Sequence, residues 1–131
     1  MLLIVLSYLS GSTPTSIIAG KLLGRIDIRE HGSGNAGATN VSRVLGWRPA
    51  LFVVLVDIFK GWFPCAILAR YFFDVQFIPD FGVLQIFCGC SAVLGHTYTV
   101  FGGFKGGKGV STLGGMMLAL FPTVFPFCLI I

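Results

Sequence analysis

Pro49-Ala-Leu-Phe-Val-Val-Leu-Val-Asp57-Ile-Phe-Lys60-Gly-Trp-Phe-Pro-Cys-Ala-Ile-Leu-Ala69 is an apolar run broken by only two charges, Asp57 and Lys60. A hydrocarbon core of roughly 30 Å needs about twenty helical residues to cross it. The run therefore predicts a membrane-spanning helix, and Pro49 suits its first turn, where backbone N–H groups have no partner inside the helix. Outward from this run, residues 1–23, 81–100 and 110–131 are apolar in the same way. The composition agrees: of 131 residues, 55% are hydrophobic and 11% charged, with a mean hydropathy of +0.90. An ordinary soluble domain lies far from these values. The expected fold is all-α, a multi-pass transmembrane helical bundle of about four spans, with residues 1–131 forming one membrane-embedded domain.

Two details refine this picture. Gly11-Ser-Thr-Pro-Thr-Ser16 interrupts the first span, and the freed backbone groups must face protein or a polar cavity rather than lipid. Pro122 and Pro126 are expected to kink the fourth span. The N-terminus is apolar from its first residues, without a basic leader or a cleavage site, so it reads as a retained span. The last residues are still apolar, so the chain reads as incomplete at its C-terminus.

The polar residues gather between the spans. His31-Gly-Ser-Gly-Asn-Ala-Gly-Ala-Thr-Asn40 lies in the first loop, with Arg29 and Arg43 on either side. Glycines let backbone N–H groups approach a ligand, and successive N–H groups make a concavity suited to an anion. Ser33, Asn35, Thr39 and Asn40 add side-chain donors, and the arginines supply charge for a phosphate. Gly102-Gly-Phe-Lys-Gly-Gly-Lys-Gly109 has the same character in the third loop. The first loop also holds Arg25 and Arg48, whereas the second, residues 70–80, has one basic residue. Basic loops stay in the cytoplasm, which predicts that both glycine-rich loops face it and that the N-terminus lies outside.

Several familiar sites are excluded by context. Gly32-x-Gly34-x-x-Gly37 matches a dinucleotide fingerprint, but no strand precedes it and no βαβ unit fits. Gly102 to Lys108 resembles a P-loop, yet Gly109 stands where Ser or Thr would ligate magnesium. The four cysteines lie in apolar stretches without redox or zinc spacing, and no metal-ligand spacing appears. A net charge of +4 comes from short glycine-rich loops rather than a basic helix, so no nucleic-acid partner is expected. Asp57 and Lys60 share one helical face, as a neutralising structural pair or as part of the polar site. His31 and His96 are the acid–base candidates.

Gly11-Ser-Thr-Pro14 and Arg29 through Asn40 with Arg43 resemble the first motif of the bacterial acyl-phosphate:glycerol-3-phosphate acyltransferases, the PlsY family. Gly95-His96 through Phe101 and Phe104-Lys-Gly-Gly-Lys-Gly-Val110 are similar to its second motif. The resemblance implies an enzyme of the bacterial inner membrane that moves a fatty acyl group from acyl phosphate to the sn-1 hydroxyl of glycerol 3-phosphate, without a cofactor or metal. The product would be lysophosphatidic acid, made among membrane lipids. Ser33, Asn35, Arg43 and Lys108 become the candidate catalytic residues. His31, Gly32, Gly34, Gly37, Thr39, Asn40, His96, Lys105, Gly106, Gly107 and Gly109 become the candidate substrate-binding residues. A third motif is expected beyond residue 131. The competing class is an organophosphate transporter, since broken helices and intramembrane charges also mark transporters; an inactive membrane fragment of the acyltransferase is a third reading.

Overall fold

The computed structural model describes residues 1–75 and 79–125, and their regular structure is entirely helical. Helix α1 (Leu2–Gly11) and helix α2 (Thr15–Ala19), extended by the π-helical turn Gly20–Gly24, form the first span. A short helix α3 (Ala38–Leu45) follows the first loop. Helix α4 (Trp47–Phe63) passes through a wider π-helical turn at Pro64–Leu68 into α5 (Ala69–Phe72). That turn accommodates a proline that has no N–H to donate to the helical ladder. Helix α6 (Phe81–Thr97) starts on Asp80, whose carboxylate accepts the Val83 N–H at 3.0 Å. Helix α7 (Val110–Leu120) comes last.

Three stretches, Leu2–Gly24, Trp47–Phe72 and Phe81–Gly102, are long and apolar enough to cross a membrane. The expected fourth span is broken at its proline within the described residues. Helix α7 has 11 residues and stops at Phe121, because the residue before a proline is pushed out of helical conformation. Pro122 thus interrupts the helix, residues 124–125 are helical again, and the rest of the expected span, with Pro126, lies outside the described residues.

The helices pair α1 with α6 and α4 with α7. Lipid tails are as apolar as leucine, so such pairs depend on close packing and on small residues at the contact. Gly11 sits against the Ala92 backbone and Gly95 against the Tyr8 carbonyl; Gly61 meets the Thr112 backbone and Gly115 the Ile58 carbonyl. A Cβ at any of these four positions would overlap main-chain atoms, which cannot swing aside. The Ser91 hydroxyl adds a cross-helix bond, donating to the Ile4 carbonyl at 2.8 Å. Gly61→Val is expected to force α4 and α7 apart at a cost of about 1–3 kcal/mol or more. Thermal unfolding in detergent checks this, and an unchanged midpoint would contradict the close crossing.

The break between α1 and α2 is turned into the protein, as its polar sequence requires. The freed Ser12 carbonyl accepts from the Thr99 hydroxyl, and the Thr13 carbonyl accepts from Lys60 Nζ at 2.8 Å. Beneath the first loop, Ile17, Ile28, Val41 and Val53 form a buried cluster that fixes α3 against α4. Leu51, Phe52, Leu55, Phe59, Ile86, Phe87 and Leu94 point outward, as lipid-facing residues of a bundle should.

Candidate active site

The first glycine-rich loop is organised by Asn40. This residue is 1% exposed. Its amide nitrogen donates to the carbonyls of Ile28 and His31, both at 2.9 Å, and its Oδ1 accepts the Ser33 N–H at 2.8 Å. The turn this imposes takes Gly32 and Gly34 to φ values of +59° and +72°, a region where a side chain is strained. Asn40 was expected to present a donor to substrate. Its amide is instead consumed in holding the loop, because a buried amide must satisfy its own hydrogen bonds.

Arg29 has a similar fate. Its guanidinium makes paired contacts to Asp27, with Nε 3.0 Å from Oδ1 and Nη2 2.6 Å from Oδ2, while Nη1 donates to the Gly102 carbonyl at 2.6 Å. The expected phosphate ligand is thus a clamp joining the two glycine-rich loops. Hydrogen bonding from Arg29 holds the Asp27 carboxyl down at about 2, and the same bond raises the guanidinium above its usual range. A carboxyl depressed by folding contributes stability above the ordinary 3.8 that is lost as pH falls through about 2. Carboxyl NMR is therefore expected to show Asp27 titrating near 2 in the wild type and shifted up toward 3.8 in Arg29→Ala, which keeps the backbone N–H bond to the carboxylate. Coincident titrations would dissolve the clamp.

The second loop folds back onto the end of α6. The Gly106 N–H donates to the Thr97 carbonyl at 3.0 Å and the Gly107 N–H to the His96 carbonyl at 3.2 Å. Gly107 is pressed between the His96 ring and the Ala36 carbonyl, so both loops touch there. Gly109, at φ +74°, then opens α7. The N–H groups at the start of that helix have no partners within it, and the helix dipole places partial positive charge there.

A cavity of about 220 Å³ opens where these parts converge, lined by Asn35, Gly37, Ala38, Thr39, Val54, Asp57, His96, Lys108, Gly109, Val110 and Ser111. Six of the expected site residues meet here: Asn35, Gly37, Thr39, His96, Lys108 and Gly109. Gly34, Lys105 and Gly106 line a separate pocket of about 400 Å³ with Asp27, Arg29 and Glu30. Gly106, Gly107 and His96 also border a void of about 10 Å³ beside Lys60, room for about one water. His31, Gly32, Ser33 and Arg43 are exposed and border neither the 220 Å³ cavity nor the 400 Å³ pocket. Arg43 lies outside because its helix turns it toward solvent.

Sequence reasoning left Asp57 open and missed Ser111. Asp57 is 2% exposed, with Oδ1 2.8 Å from Lys60 Nζ and 3.8 Å from His96 Nδ1. The i,i+3 spacing of two charges in an apolar run was a usable signal for the pair. Ser111 carried none, being one hydroxyl after a glycine-rich segment. Among the described residues, neither Thr39 nor Ser111 hydrogen-bonds to His96, and no three His, Cys, Asp or Glu side chains gather to hold a metal ion.

An apolar groove of about 460 Å³ shares Ala38, Thr39 and Val54 with the cavity and continues along Trp47, Ala50 and Leu51. Polar cavity and apolar groove therefore share a wall.

A family model described as Glycerol-3-phosphate acyltransferase matches residues 1–131. The chain is 53% identical over 124 residues to the glycerol-3-phosphate acyltransferase of Chlorobaculum tepidum, covering 92% of this chain and 53% of that protein. It is also 53% identical over 127 residues to the enzyme of that name from Chlorobium phaeobacteroides strain BS1, covering 93% of this chain and 54% of the relative. The chain thus spans about half the length of these relatives. Two crystal structures of PlsY (YgiH), described as an integral membrane glycerol 3-phosphate acyltransferase, share the fold. The lysophosphatidic acid form superposes with a TM-score of 0.82 at 40% identity, over 98% of this chain and 60% of that one. The glycerol 3-phosphate form gives 0.79 at 37% identity, over 98% and 61%. With its three apolar spans and these integral membrane neighbours, the molecule is a multi-pass membrane protein. Matched along its whole length, and carrying both glycine-rich loops on the shared fold, the chain belongs to the glycerol-3-phosphate acyltransferase family.

Proposed function

We propose that this chain forms a single membrane-embedded acyltransferase unit, which transfers an acyl group from acyl phosphate to the sn-1 hydroxyl of glycerol 3-phosphate. The observation that carries this reading is the convergence of Asn35 and Thr39 from one loop with Lys108 and the α7 N-terminus from the other, around one cavity. Backbone N–H groups at a helix start and a lysine favour phosphate. The apolar groove beside the cavity suits the hydrocarbon tail of the donor. A solved relative described as a glycerol 3-phosphate form supports the choice of acceptor.

In this reading the glycerol hydroxyl oxygen attacks the acyl carbonyl carbon, the bond from that carbon to the phosphate oxygen breaks, and the departing phosphate takes the proton. Lys108 and the α7 N–H groups offset charge on the phosphate, and Asn35 orients the carbonyl. Transfer is direct: no hydroxyl in the cavity is hydrogen-bonded to a base among the described residues, as an activated nucleophile would be. The loops face the cytoplasm, because the first and third loops hold the basic residues. Ser33 and Arg43, outside the cavity here, remain candidate contributors through the family motif. Transport is the weaker reading, since the polar loops gather at one end of the bundle.

The test is lysophosphatidic acid formation by the purified chain in lipid bilayers supplied with acyl phosphate and glycerol 3-phosphate. Product with release of inorganic phosphate supports the reading. Recovery of an acylated Ser or Cys on the reaction path would refute direct transfer.

A further inference from the structure

Inside a cavity whose other features attract anions, Asp57 is the exception. It lies 2% exposed in the middle of α4 and lines the cavity with His96 and Lys108. Lys60 Nζ lies 2.8 Å from its Oδ1 as an ion-pair contact; beyond that contact Oδ1 has no donor, and His96 Nδ1, 3.8 Å away, is buried without a hydrogen-bond partner. An ionised carboxylate offers about four lone-pair positions, and burying them unfilled is costly. Lys60 neutralises the charge while donating to the Thr13 carbonyl. Beyond Lys60, the carboxylate has no donor for its other lone pairs.

The chemistry of the missing partner follows. A phosphate would be repelled by Asp57, and a cation is already supplied by Lys60. A neutral hydroxyl fits, since it donates to the carboxylate without adding charge. The same cavity offers Lys108 and the α7 N-terminus to an anion. A ligand with hydroxyls at one end and phosphate at the other satisfies both sets of groups.

We propose that Asp57 recognises the hydroxyl-bearing end of the acceptor and is a specificity-determining residue of the cavity. This rests on the proposed glycerol 3-phosphate site and adds the group that distinguishes a polyol phosphate from a plain alkyl phosphate.

The experiment is calorimetric titration of the chain in detergent micelles with glycerol 3-phosphate and with n-propyl phosphate, which keeps the phosphate and carbon count but lacks hydroxyls. A hydroxyl bonded to a charged acceptor predicts that glycerol 3-phosphate binds about tenfold tighter or more. The double variant Asp57→Leu/Lys60→Met removes the ion pair as a unit, which a buried site tolerates better than losing one partner. Its ratio of the two dissociation constants is expected to fall to within about twofold. If the double variant fails to fold, Asp57→Asn reads the same ratio, expected to shrink because a neutral amide accepts more weakly. A ratio that survives either substitution overturns the role of Asp57. Equal binding of both esters by the wild type overturns hydroxyl recognition and leaves the phosphate site standing. Binding of neither overturns the phosphate site and this proposal together.

Discussion

Lys108→Ala is expected to lower kcat/KM for glycerol 3-phosphate by about 100-fold or more, in a preparation that forms lysophosphatidic acid. The magnitude is that of losing one preorganised donor to developing charge, about 3–4 kcal/mol. Lys108 earns this weight from its position, since it borders the cavity next to the start of α7. Lys105 is a useful contrast. It borders a separate pocket with Asp27 and Glu30 and does not line the 220 Å³ cavity, so Lys105→Ala is expected to cost much less. Steady-state kinetics on both variants reads the difference. Unchanged kinetics in Lys108→Ala, or an equal loss in both, would remove Lys108 from the reacting centre.

Lys60→Met is expected to destabilise the fold by about 3–5 kcal/mol, the cost of leaving a buried carboxylate without its counter-charge. Lys60 and Asp57 are both buried, and their contact at 2.8 Å joins the middle of α4 to the broken first span through the Thr13 carbonyl. The paired replacement Asp57→Leu/Lys60→Met should recover much of the loss, because it removes the charge as well as its partner. Denaturation of the three proteins in detergent closes the cycle. A double variant no more stable than the single one would show that the pair does not act as a unit.

How far the residues could be read in advance depended on the range of the physics involved. The spans were legible because bilayer thickness sets a length that a local apolar run either reaches or does not. The break at Ser12 to Pro14 was legible as polar and protein-facing for the same local reason. The fates of Arg29 and Asn40 were not. Both looked like ligand donors, yet one is spent on Asp27 and the Gly102 carbonyl and the other on the Ile28 and His31 carbonyls. A donor's partner is decided by distance in space, and Gly102 is far from Arg29 along the chain.

The glycines divide along the same line. Those between the spans stood out at once as loop glycines that leave their backbone accessible, because that is a local property. Gly11, Gly61, Gly95 and Gly115 gave no local signal, since their reason is a neighbouring helix whose main chain leaves no room for a Cβ. From the residues alone came the membrane class and the helical fold, both set by composition and short-range pattern. Only the tertiary structure decided which donors remain free for a ligand and which are consumed in holding the loops. It also brought Asp57 and Ser111 into the cavity, because packing partners and cavity walls arise where distant segments meet.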